Sequence, residues 1–138
     1  MIVDERMVAF IHSLEMPESD FLETIEQEAL AAHVPIIRKE TKSLLKVLVG
    51  IRKPMQILEV GTAVGFSALV MNAYAPEGSH ITTIEKYEKR IPIARENFRR
   101  AGKETEITLL EGDALEVMKG LSGSYDFIFM DAAKGQYI

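Results

Sequence analysis

The chain has 138 residues, with 16 Lys and Arg against 21 Asp and Glu, for a formal net charge of −5. Apolar residues make up 47% and charged residues 27%, a balance that excludes a disordered chain and fits one globular domain. Zero cysteines exclude disulfides, a thiolate nucleophile and cysteine-ligated zinc. No apolar run approaches the roughly 18 residues of a membrane span. Met1 to Glu15 is too acidic for a secretory signal, so no membrane role is expected and a cytoplasmic location is.

The charge is unevenly spread. Residues 1–32 carry eight acids and one base, whereas residues 33–56 carry six bases and one acid. Such blocks suit either a nucleic-acid surface or a helix face paired with an acidic neighbour, and the second reading is favoured. Met7, Phe10, Ile11 and Leu14 recur at helical spacing until Pro17 stops them. Asp20 followed by Glu23 reads as a capping box for a second helix, with Leu22, Ile25, Ala29 and Ala32 on its inner face. A third helix is predicted from about Lys39 to Val49, ending near Gly50.

From Gln56 onward strands alternate with helices. Gln56–Val60 is a short strand, followed by the tight loop Gly61–Gly65 and a helix to about Ala75. His80–Ile84 is the second strand. The helix after it carries an apolar stripe of Tyr87, Ile91, Ala94, Phe98 and Ala101, with Gly102 as its stop. Ile107–Leu110 is the third strand, Ala114–Leu121 a short helix and Tyr125–Met130 the fourth strand. This alternation predicts a doubly wound α/β fold with four parallel strands: residues 1–55 form a helical N-terminal extension, and 56–138 the sheet core.

Ligands of such sheets bind beyond the carboxyl ends of the strands, so those positions carry the functional reading. After the first strand comes Glu59-Val60-Gly61-Thr62-Ala63-Val64-Gly65-Phe66-Ser67, a turn that opens onto a helix N-terminus. After the second comes Glu85, 24 residues past Gly61 and placed to accept bonds from ribose hydroxyls. After the third comes Gly112-Asp113-Ala114, where a carboxylate could meet an adenine amino group, and after the fourth Asp131-Ala132-Ala133-Lys134. Each feature alone is common in loops or helix caps; four at the correct ends of successive strands are not. A dinucleotide loop needs glycine where Ala63 stands, which argues against a nicotinamide oxidoreductase. No Lys-Ser/Thr pair follows, which excludes a P-loop.

The loop Glu-x-Gly-x-x-x-Gly-x-Ser, Glu85, the Gly112-Asp113-Ala114 turn and Asp131-Ala132-Ala133-Lys134-Gly135-Gln136-Tyr137 resemble the S-adenosylmethionine-dependent O-methyltransferases. Within them they are similar to the cation-dependent group that acts on catechols and caffeoyl-CoA. The segments His33-Val34-Pro35-Ile36, Ile57–Ser67 and Asp131–Tyr137 are especially similar to the bacterial tRNA 5-hydroxyuridine methyltransferases. The resemblance implies a Rossmann-like methyltransferase sheet and cofactor contacts from Ile37, Glu59, Gly61, Thr62 and Ser67. It implies Glu85 at the ribose, Asp113 and Ala114 flanking the adenine, and Asp131 beside the methionine end. Asp131 would also bind Mg²⁺ or another divalent cation, and Lys134 would help deprotonate the acceptor hydroxyl.

The implied acceptor is a hydroxyl next to a second oxygen; the segment similarity favours 5-hydroxyuridine in tRNA, with a small catechol-like molecule as the alternative. Family members continue with a fifth strand carrying an Asp-Asn pair, so the resemblance implies a C-terminally truncated domain whose isolated chain is inactive. It also implies self-association, as a homodimer, through the fourth-strand edge or its neighbouring faces. A non-catalytic cofactor-binding module is the rival reading. His12, His33 and His80 have no metal-ligand spacing. Arg90, Arg95, Arg99, Arg100 and Lys103 form a basic ridge that suits either tRNA phosphates or a solvated face.

Overall fold

The structure is a computed structural model and describes residues 3–131. Lys134 and the rest of the segment after Asp131 lie outside the described residues.

Three helices lead the chain. In α1 (Glu5–Ser13) Asp4 caps the first turn, its Oδ1 accepting from the Arg6 amide at 2.8 Å. The cap of α2 (Asp20–Ala31) is Ser19, one residue before the expected Asp20; its hydroxyl accepts from the Leu22 amide at 3.4 Å. α3 (Lys39–Arg52) runs through Gly50 instead of ending there. An interior glycine costs only about 1 kcal/mol, and the stop comes from Lys53, left-handed at φ 50°, just before Pro54.

The sheet follows. β1 (Gln56–Val60), β2 (His80–Glu85), β3 (Ile107–Glu111) and β4 (Phe127–Met130) are all parallel, in the order β3-β2-β1-β4. They are linked by α4 (Phe66–Tyr74), α5 (Ile91–Arg100) and α6 (Ala114–Lys119). The chain steps outward from β1 to β3 and then returns to the far side of β1. The topological switch point therefore lies between β1 and β4. Tyr87 stands before α5 and is exposed, so the buried stripe of that helix begins at Ile91.

One face of the sheet holds the main core. Ile57, Ile81 and Ile107 pack there with Leu22 and Ile25 of α2, Leu45 and Val49 of α3, Met71 of α4 and Phe98 of α5. α2 and α3 thus share one core with the sheet, while α1 contributes no buried residue to it. The other face carries a smaller cluster of Leu58, Val60 and Ile84 beneath Val117 and Met118 of α6. Asp126 ties the start of β4 to β1 by accepting from the Met55 and Gln56 amides at 3.0 and 2.9 Å.

The opposed charge blocks pair with each other, as expected. Lys42 is buried, with Nζ 2.9 Å from Glu15 and 3.5 Å from Glu26. Glu18 pairs with Lys46 and accepts from the Tyr74 hydroxyl at 2.8 Å, while His12 meets Glu40 at 2.8 Å. These polar contacts, not its apolar stripe, tie α1 and the turn after it to α3. Met7, Phe10, Ile11 and Leu14 remain exposed, and so does a second stripe on α3 of Leu44, Val47, Leu48 and Ile51. Ile128 and Met130 of β4 are exposed as well.

Two expectations follow from this packing. Burial alone would lower the Lys42 amine, but its bond to Glu15 and the charge of Glu26 outweigh that and raise it above its ordinary 10.5. Stability from Lys42 is therefore complete below that ordinary value and is lost only as pH rises through the raised one. Lys42→Met leaves two nearly buried acids without their cation. It should lower unfolding stability by about 3 kcal/mol at neutral pH, measured by denaturant titration. The bare stripes and the β4 residues should also make the 138-residue chain self-associate. Sedimentation velocity at micromolar concentration checks this, a monomer being the contrary outcome.

Candidate functional site

A cleft of about 860 Å³ opens at the carboxyl ends of β1, β2 and β4. Its walls are Ile37 and Arg38 ahead of α3, Gly61, Thr62 and Ala63 after β1, and Phe66 and Ser67 opening α4. Glu85, Lys86 and Tyr87 after β2, Gly112 and Ala114 after β3, and Met130 and Asp131 after β4 complete it.

The loop after β1 is held in a left-handed path. Gly61 has φ 101°, and its amide and that of Thr62 both donate to the Ile84 carbonyl, at 2.9 and 3.2 Å. Ala63 is itself left-handed at φ 49°, and its amide donates to Glu85 Oε2 at 2.8 Å. Gly65 has φ 88°, and a Cβ there would sit 2.6 Å from the Phe98 ring. Glycine is thus required twice over at Gly65, by the turn and by the close approach of α5. Asn97, buried on α5, donates to the Val64 carbonyl at 2.8 Å. No side chain caps α4, so its first amides face the cleft end of the loop uncapped.

Glu85 does more than point into the cleft. Its Oε1 accepts from the Lys86 and Tyr87 amides, both at 3.0 Å, while Oε2 holds Ala63. The carboxylate therefore fixes its own turn and the loop opposite.

Beneath the cleft lies Glu59, fully buried on β1 and paired in register with Thr83. Thr83 donates to its Oε1 at 2.6 Å, Ser67 donates to its Oε2, and Thr62 lies 2.6 Å from the Thr83 hydroxyl. Burial pushes the Glu59 carboxyl up to about 7. The bonds from Ser67 and Thr83 oppose that rise, and the nearby Asp131 and Glu85 charges add to it. Among the described residues no Lys, Arg or His forms an ion pair with it.

Of the residues singled out in the sequence, Ile37, Gly61, Thr62, Ser67, Glu85, Ala114 and Asp131 line one cleft. Glu59 lies behind Ser67 and Thr83. Asp113 serves as the cap of α6, its Oδ1 accepting from the Leu115 amide at 3.0 Å, and its Oδ2 lies 3.9 Å from Lys86. Asp131 donates its amide to Val60 at 2.9 Å, which sets it at the switch point. It offers one carboxylate to a divalent cation, whereas Mg²⁺ takes six oxygen ligands. Among the described residues no group of three or more His, Asp or Glu could hold a metal ion.

Sequence reasoning missed Arg38, Lys86, Tyr87 and Arg90 as cleft residues. Their signal was adjacency: two follow Glu85 directly and the others precede helices that begin at the cleft. Arg90 lies 4.9 Å from the Tyr87 ring centre, leaving the basic ridge to which the sequence assigned it. The rest of that ridge is neutralised: Arg95 pairs with Glu111, Arg99 with Glu96, Arg100 with Glu28 and Lys103 with Glu106. It is a solvated face.

The upward shift of Glu59 has a stability consequence. Between 4.5 and about 7 the folded chain holds a proton that the unfolded chain has released. Unfolding stability should therefore fall as pH rises through that window, by about 3 kcal/mol. Glu59→Gln should abolish the slope, read from denaturant midpoints at pH 5 and pH 8.

Comparison with known proteins points one way. The O-methyltransferase family model matches residues 12–138. A catechol O-methyltransferase from Niastella koreensis is 28% identical, the match covering 93% of this chain and 61% of that protein. A caffeoyl-CoA O-methyltransferase from Stellaria longipes is also 28% identical, over 77% of this chain and 52% of that protein. The crystal structure of an SAH-bound methyltransferase from Podospora anserina superposes with a TM-score of 0.88 at 29% identity, covering 99% of this chain and 62% of that one. The chain thus spans little more than half to three fifths of the length of the proteins it matches. With the four parallel strands, the glycine loop and the matched residues together, the chain belongs to the O-methyltransferase family.

Proposed function

We propose that this chain forms the cofactor-binding part of an S-adenosylmethionine-dependent enzyme that methylates a small molecule bearing a hydroxyl next to a second oxygen, of the catechol type. The observation that carries the reading is the cleft at the switch point, where the rigid Gly61–Gly65 loop faces Glu85. Gly61, without a side chain, lets a ligand reach the backbone. Glu85 Oε2 accepts one amide bond and so keeps a lone pair for a ribose hydroxyl. Ala114 offers apolar contact to the adenine side, Asp113 holds the α6 cap beside it, and Ile37 adds an apolar wall ahead of α3.

The sulfonium cofactor supplies an activated methyl group, so the protein's work is alignment and exclusion of water. Asp131 would stand beside the methionine end. Lys134, outside the described residues, would draw the proton from the acceptor hydroxyl. Similarity of Ile57–Ser67 and Asp131–Tyr137 to the tRNA 5-hydroxyuridine enzymes supports a second reading, with a tRNA base as acceptor. The relatives named for catechol and caffeoyl-CoA, and the ion-paired ridge on α5, favour the small molecule.

Calorimetry tests the cofactor site. Gly61→Val should abolish S-adenosylmethionine binding. Glu85→Ala should weaken it by about 1.5–3 kcal/mol or more, because the ribose bond and the anchor of Ala63 are lost together. Unchanged affinity in both variants overturns the reading. Radiolabelled methyl transfer by the full-length protein to catechol, or to tRNA containing 5-hydroxyuridine, decides the acceptor. Running each with Mg²⁺ and with EDTA reports whether a divalent cation takes part.

A further inference from the structure

The hydrogen bonds around Glu59 fix the orientation of three hydroxyls. Each hydroxyl has one proton to give. With Glu59 ionised, Ser67 and Thr83 both spend theirs on its two oxygens. Thr83 then has only a lone pair left for Thr62, so Thr62 must donate to it across their 2.6 Å contact. Ser67 and Thr62 both line the cleft. Both then present only lone pairs outward, above a buried negative charge. A protonated Glu59 must itself donate to Ser67 or Thr83, which frees one hydroxyl proton to turn outward. The polarity of the cleft floor is thereby tied to the charge of one carboxyl that lies fully buried behind the lining.

We propose that Glu59 is a positioning residue that selects the sulfonium cofactor over its thioether product, by holding the Ser67 and Thr62 hydroxyls with their lone pairs toward the cleft. The inference rests on the cofactor reading above. S-adenosylmethionine carries one positive charge more than S-adenosylhomocysteine, and methyl transfer removes it. Glu85 at the end of β2 and Asp131 at the end of β4 add their charge from either side of β1. Of the cations that line the cleft, Lys86 lies 3.9 Å from Asp113, Arg90 is stacked on Tyr87, and Arg38, the N-cap residue of α3, acts on Glu40. α4 packs Ser67 onto Glu59, and β2 packs Thr83 onto it; neither hydroxyl is charged. The protonation of Glu59 near pH 7 makes the preference adjustable within an ordinary range.

The test is calorimetric affinity for S-adenosylmethionine and for S-adenosylhomocysteine at pH 6 and pH 8, in wild type and in Glu59→Gln. In wild type the ratio of the two affinities should move toward the sulfonium ligand by roughly tenfold between pH 6 and pH 8. Glu59→Gln keeps the shape but not the charge, and its ratio should be lower and flat with pH. A general loosening of the fold would weaken both ligands together and leave the ratio alone. A wild-type ratio that does not change with pH overturns the inference, whether or not the variant folds. So does a variant that keeps the wild-type ratio and slope. If neither ligand binds wild type, the cofactor reading itself fails; if both bind with a flat ratio, only this inference does.

Discussion

β1 must be dry on both faces and still end at a polar cleft, and most of the architecture answers to that demand. Its neighbours β2 and β4 satisfy its backbone on either side. Ile57 faces the main core, while Leu58 and Val60 face the smaller one. A carboxyl at Glu59, in the middle of such a strand, has no water to solvate it. Only the hydroxyls of Ser67 and Thr83 make its burial tolerable, and these come from the elements that follow β1 in sequence. Moving either element would expose the acid or orphan it. The helix opening and the second strand are therefore fixed to β1 by chemistry as well as by packing.

The loop above that strand is held from three directions. The Ile84 carbonyl takes the amides of Gly61 and Thr62, the Glu85 carboxylate takes that of Ala63, and Asn97 reaches in from α5 to the Val64 carbonyl. The Phe98 ring then closes on Gly65. A loop so restrained before any ligand arrives need not be ordered by it, which lowers the entropic cost of binding. The glycine spacing in the sequence reflects two different demands. Gly61 turns the chain at the cleft, whereas Gly65 makes room for a helix on the other side of the loop.

The alternation of strands and helices, the parallel sheet and the acids at its strand ends were legible in the sequence because each has a local signature. Short apolar, β-branched runs between turn residues mark the strands, and the residue after a strand is necessarily at its end. What was not legible depended on partners far along the chain. Glu59 reads as a cleft residue until Thr83, 24 positions on, is seen to cover it. Arg95 and Arg100 read as part of one free ridge because their acids, Glu111 and Glu28, stand 16 and 72 positions away, whereas Glu96 and Glu106 lie only three residues from Arg99 and Lys103 and were legible locally. The α1 stripe has perfect helical spacing, yet periodicity says that a face exists and not what covers it. Ser19 was overlooked as a cap because Asp20 is an equally good residue type one step later, and only backbone geometry separates them.

Among the described residues Glu26, Lys42 and Glu59 are the buried ionisable side chains, and the different surroundings of the last two suggest different origins. Lys42 has two carboxylates within reach and lies between helices, away from the cleft. Its burial is settled electrostatically, and exchanging the group for an apolar one of similar shape removes only what its partners need. Glu59 has hydroxyls where an equivalent design would put a cation, and two further acids lie near it. An evolving core would shed such a group for a threonine or valine, since the strand would gain stability. Its place directly under a cleft, with the carboxyl raised toward neutrality, is the pattern expected where stability is exchanged for a field aimed at a ligand. The same reasoning sets the fully paired bases of α5 aside. Charge that is matched locally has little left to offer a distant partner, and charge left unmatched beside a pocket does.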